Sequence, residues 1–66
     1  MREIKILGNF ELGYYIYELG IATPLFSAKY NNYKDTFTCY DMKGKYFGEY
    51  SSLNNLLNNL EIYLNN

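Results

Sequence analysis

Residues Thr36 to Asn66 constrain the fold more than any other stretch, because they read as a tight β-hairpin running directly into one amphipathic helix. In Thr36-Phe37-Thr38-Cys39-Tyr40-Asp41 and Lys45-Tyr46-Phe47-Gly48-Glu49-Tyr50, β-branched and aromatic residues dominate, and a turn signal lies between them. Asp41 can accept bonds from nearby backbone N–H groups. Gly44 can take the positive φ that closes a three-residue loop of Met42, Lys43 and Gly44 as a type I turn with a bulge. This loop sets Asp41 opposite Lys45, Tyr40 opposite Tyr46, Cys39 opposite Phe47, Thr38 opposite Gly48, Phe37 opposite Glu49 and Thr36 opposite Tyr50. Side chains alternate along a strand, so Phe37, Cys39 and Phe47 are expected on one face and Thr36, Thr38, Tyr40, Tyr46 and Tyr50 on the other. A two-residue Lys43-Gly44 turn would pair Tyr40 with Phe47 and mix the two sets. The longer loop is preferred because it separates them.

The helix is expected to start at Ser51 or Ser52, either of which can accept a bond from an unpaired N–H of the first turn. Leu53, Leu56, Leu57, Leu60 and Tyr63 or Leu64 then recur at three- and four-residue spacing and form one apolar stripe. The opposite side carries Asn54, Asn55, Asn58 and Asn59, a residue type that costs about 0.6 kcal/mol relative to Ala in a helix. Such a helix is stable only when docked, and the Phe37, Cys39, Phe47 face of the hairpin is the simplest dock.

Upstream, Ile4 to Leu7 reads as a strand stopped by Gly8-Asn9, and Gly13 to Leu19 as a second. A short helix competes for residues 9–20, with Asn9 as its N-cap and Gly20 just past its end. Strand is preferred because Tyr14, Tyr15, Ile16 and Tyr17 suit a pleated surface better than a helix interior. Pro24 allows only an edge position or a strand's beginning. Leu25 to Tyr30 follows, with Phe26, Ala28 and Tyr30 on one side and Leu25, Ser27 and Lys29 on the other. The expected architecture is a single α+β domain over residues 1–66. Its antiparallel sheet has four to five strands, with one C-terminal amphipathic helix packed on one face.

A chain of 66 residues buries only about 60% of its unfolded surface, so its stability is a few kcal/mol and pairing with a second copy would add to it. The longest apolar runs fall far below the roughly 18 residues of a membrane span, and no apolar signal core is present. A cytoplasmic location is therefore expected, and the low-GC composition and small size make a bacterial host cell the expected setting. The lone cysteine agrees, since extracellular domains this small usually carry several disulfides. Cys39 reads as a small buried hydrophobe.

Catalysis is not expected. There is no histidine, one cysteine cannot build a thiolate cluster, and the seven carboxylates stand at least six residues apart in sequence. No cofactor or metal site is implied. Gly44 and Gly48 read as a turn and a close packing contact, with no helix start at the distance a phosphate loop needs.

Binding is left. Nine tyrosines and nine asparagines are a heavy load, part of which a low-GC genome accounts for through A/T-rich codons. Placement is a separate matter. An exposed row of amphipathic rings is the usual form of an interface anchor, and the expected partner-binding set is Lys29, Thr36, Thr38, Tyr40, Tyr46 and Tyr50. The first expectation is a protein-binding inhibitor or adaptor of the phage or mobile-element kind, blocking a host factor such as a defence protein. A homodimer through the same face is its structural alternative. The second expectation is nucleic-acid binding through the face away from the helix. The net charge of −1 opposes it, while Lys29, Lys34, Lys43 and Lys45 against Asp35 and Asp41 give a local basic surplus. Gly44-Lys45-Tyr46-Phe47-Gly48-Glu49-Tyr50-Ser51-Ser52-Leu53 resembles the last strand and helix of three-stranded DNA-binding domains of the integrase-arm kind. That resemblance implies a groove-facing role for Lys29, Thr38, Tyr40 and Tyr46, at places where those domains are rich in Arg and Lys and this chain is not.

Overall fold

A computed structural model describes all residues, Met1 to Asn66. Five strands, β1 (Ile4–Asn9), β2 (Gly13–Glu18), β3 (Phe26–Asn31), β4 (Thr36–Asp41) and β5 (Tyr46–Tyr50), precede one helix, α1 (Leu53–Leu64). The strands form one antiparallel sheet in chain order, β1-β2-β3-β4-β5, a meander in which each strand pairs with its sequence neighbours. Short turns suffice because every connection is antiparallel.

Local chemistry explains the turns. The Asn9 carboxamide oxygen accepts from the N–H groups of Glu11 and Leu12, at 3.0 and 2.9 Å. The helix-start signal at Asn9 is thus real as side-chain capping, yet it closes a hairpin turn, and Gly13 to Glu18 is strand. Asn31 works alike, accepting from Tyr33 and Lys34. In the last hairpin the Asp41 carboxylate takes the N–H groups of Lys43 and Lys45, both at 2.9 Å, and Gly44 has φ +86°. Met42, Lys43 and Gly44 therefore form the three-residue loop that the turn residues dictate.

Beyond that loop the register departs from simple alternation. Tyr40 faces Tyr46 as expected, but Cys39 faces Gly48, Thr38 faces Glu49 and Phe37 faces Tyr50, so Phe47 is an extra residue in β5. A bulge of this kind reverses the facing of everything after it. Tyr50, expected beside Thr36 on the outer face, instead stands opposite Phe37 and packs against the core. Gly48 permits this: a β-carbon there would sit 2.6 Å from the Tyr50 hydroxyl, so the phenol lies across the glycine.

The core lies between one sheet face and α1. Ile16, Phe26, Ala28, Cys39, Leu56 and Leu60 are buried, with Ile4, Ile6, Phe37, Phe47, Tyr50 and Leu64 packed around them. Phe47 touches both layers, its ring 4.8 Å from Phe26 and 4.9 Å from Tyr63. Ser52 caps α1 by accepting from the Asn55 N–H at 3.0 Å. At the other end Asn65 clamps the termini together. It accepts from the Arg2 N–H at 2.8 Å and donates to the Arg2 carbonyl at 3.0 Å, while the Arg2 guanidinium pairs with Glu18 at 2.8 Å. No helix is long and apolar enough to cross a membrane.

Candidate interaction surface

Because α1 covers one face only, the other face of the sheet carries no second layer. Register and alternation determine its side chains. Leu7 pairs with Tyr15, Tyr15 with Ser27, Ser27 with Tyr40 and Tyr40 with Tyr46, which draws one line of side chains across all five strands. At about 4.8 Å per strand this line is about 19 Å long. Leu7 is 51% exposed, Tyr15 40% and Tyr46 61%, while Tyr40 is half-buried. The Tyr40 and Tyr46 rings meet edge to face, 6.4 Å apart, an arrangement that holds both without ordering a long flexible side chain.

A second line, Lys29, Thr38 and Glu49, runs beside the first. Glu49 is engaged: one carboxylate oxygen accepts from the Thr36 hydroxyl at 2.8 Å and the other lies 3.9 Å from the Lys34 ammonium. Lys5, opposite Tyr17, and Lys29 are both exposed and neither is in an ion pair. A concavity of about 210 Å³ is lined by Leu12, Tyr15, Ser27, Lys29 and Met42 among others, so residues of two different turns approach the middle of the sheet.

Of the residues expected to bind a partner, Lys29, Thr36, Thr38, Tyr40 and Tyr46 share this helix-free face, with the Thr36 hydroxyl taken up by Glu49. Tyr50 does not; its hydroxyl is raised above the ordinary phenol range, chiefly by burial. Sequence reasoning missed Lys5, Leu7, Tyr15 and Tyr17. Their alternation was visible in β1 and β2, but only the meander order brings them to the same side as Tyr40. Cys39 lies on the opposite face, fully buried, its thiol pushed up to about 11 by burial. No three His, Cys, Asp or Glu side chains come close enough together to hold a metal ion.

Compared with known protein families, with curated proteins and with solved structures, the chain matches none.

Proposed function

We propose that the chain is a non-enzymatic protein-binding module, an inhibitor or adaptor that lays the helix-free face of its sheet on a partner protein. The role fits the phage or mobile-element kind that blocks a host factor such as a defence protein. The observation that carries this reading is the line Leu7, Tyr15, Ser27, Tyr40 and Tyr46, exposed at Leu7, Tyr15 and Tyr46 and half-buried at Ser27 and Tyr40, along a face with no covering layer. Interfaces concentrate their energy in a few aromatic anchors near the centre of the patch, ringed by polar contacts. This face has that layout, with Thr38, Lys29, Lys5 and Glu49 around the rings.

Affinity capture from a bacterial lysate, with the wild-type chain and Tyr15→Ala/Tyr46→Ala side by side, tests the proposal. A protein retained stoichiometrically by the wild type and lost by the double variant is expected; retention by both removes the face from the account. A second reading rests on Lys5 and Lys29, whose unpaired ammonium groups flank stacking rings in the manner of single-strand binders. Undetectable binding of mixed-sequence DNA and RNA at low salt removes it. The formal charge of −1 places it second.

A further inference from the structure

The helix side of the sheet is only partly covered. α1 runs from the end of β5 to the start of β1, where Asn65 meets Arg2, and leaves open the corner built by the β1–β2 turn, the start of β2 and the β3–β4 ends. Four aromatic residues, Phe10, Tyr14, Tyr30 and Phe37, alone line a concavity of about 340 Å³ at this corner. The Phe37 ring neighbours both tyrosines, 5.7 Å from Tyr14 at 71° and 5.2 Å from Tyr30 at 50°, so the rings present differently tilted faces. Phe10 is 69% exposed on a turn fixed by the Asn9 cap.

We propose that this aromatic corner is a binding site for a small quaternary ammonium cation. Ring faces are the negative ends of aromatic quadrupoles, and differently tilted rings around one space attract a diffuse cation whose methyl groups lose little hydration on entry. Local charge has the matching sign. The Tyr30 hydroxyl donates to the Asp35 carboxylate at 2.7 Å, which places an anion at the rim and enriches the Tyr30 ring in electron density. Glu11 follows Phe10 in the same turn. The neighbouring cation, Lys34, lies 3.9 Å from the Glu49 carboxylate, which offsets its charge, and Lys29 alternates to the other face. A primary ammonium reaches the same Asp35 carboxylate but gives up strong hydration for a lining whose only polar atoms are phenol hydroxyls; an anion is repelled by Asp35. The site lies on the side of the sheet opposite the proposed protein interface and stands or falls separately from it.

The test is an NMR titration of choline, read on its N-methyl protons, against the neutral isostere 3,3-dimethylbutan-1-ol. A saturable upfield ring-current shift is expected for choline, with the isostere binding about three- to tenfold more weakly. Asp35→Asn is expected to weaken choline binding about three- to tenfold and leave the isostere unchanged. Asparagine tolerates the left-handed backbone at this position, φ +55°, so the variant keeps its loop. Phe10→Ala, at an exposed position, is expected to reduce the upfield shift. The proposal is overturned if choline shows no saturable shift or if the isostere binds equally well. It is also overturned if sedimentation shows a dimer that Phe10→Ala disperses, since the corner would then be covered by a second copy.

Discussion

The bulge at Phe47 assigns two tyrosines of one strand to opposite faces, and truncating each in turn measures that assignment. Tyr50 packs against the buried cluster, faces Phe37 and lies across Gly48. A tyrosine fully buried removes about 150–250 Å² from water, so the half-buried ring of Tyr50 accounts for about 100 Å², or about 2.5 kcal/mol at 25 cal/mol per Å². Tyr50→Ala is expected to cost about that much, since part of the space it vacates opens to solvent and only part becomes cavity. Tyr46 is 61% exposed and its ring meets that of Tyr40 edge to face, so Tyr46→Ala forfeits an aromatic pair worth about 0.5–1.5 kcal/mol. Equilibrium urea unfolding followed by far-ultraviolet circular dichroism separates the two. With a slope near 1 kcal/mol per M for so small a chain, the midpoint falls by about 2.5 M for Tyr50→Ala and by about 1 M for Tyr46→Ala. Equal losses, or a larger loss at Tyr46, would refute the bulged register and return Tyr50 to the outer face.

Three further outcomes follow from the geometry. Ser52→Ala removes the oxygen that accepts from the Asn55 N–H and is expected to cost about 1 kcal/mol in the same urea assay, with Ser51→Ala costing less. Gly8→Ala forces a β-carbon to within 2.2 Å of the Gly13 carbonyl oxygen at φ +118°; a loss of about 2–3 kcal/mol is expected, together with displaced amide resonances throughout the β1–β2 hairpin. The Cys39 thiol, pushed up from 9.0 to about 11, is protonated when folded; at pH 8 its thiolate fraction is about a hundredfold below that of a free thiol, and a disulfide reagent is expected to label it only as fast as the chain opens. The linked stability is fully present below pH 9, where the unfolded thiol is also neutral. It is lost as pH rises through about 11, so Cys39→Ala is expected to flatten the alkaline decline.

Where sequence and structure agree, a local cause is identifiable. The leucine spacing, the Ser52 cap and the Asp41-to-Gly44 loop each depend on residues within one turn of one another, and all three stand in the fold. The helix-like reading of residues 9–20 rested on the capping power of Asn9, which serves a hairpin turn equally well; the β1 and β3 partners of β2 decide the outcome. Tyr50 was misassigned for a different reason. Alternation counts residues, and a bulge two residues inside a strand changes the count without any turn signature, here to lay Tyr50 over Gly48. The outer face was half legible for the same physical reason. Each strand's alternation was readable alone, but joining Leu7 and Tyr15 to Tyr40 and Tyr46 requires the lateral order and register of strands distant in sequence. The aromatic corner of Phe10, Tyr14, Tyr30 and Phe37 left no sequence signal, because it exists only where α1 stops covering the sheet.

The most direct test of the two-faced account is site-specific photo-crosslinking in bacterial cells, with benzoylphenylalanine in place of Tyr46 in one chain and of Ile62, exposed on α1, in another. The account expects a crosslink to one heterologous protein from position 46 and none from position 62. Crosslinking to that protein from position 62 alone, or only to a second copy of the chain from position 46, would contradict it.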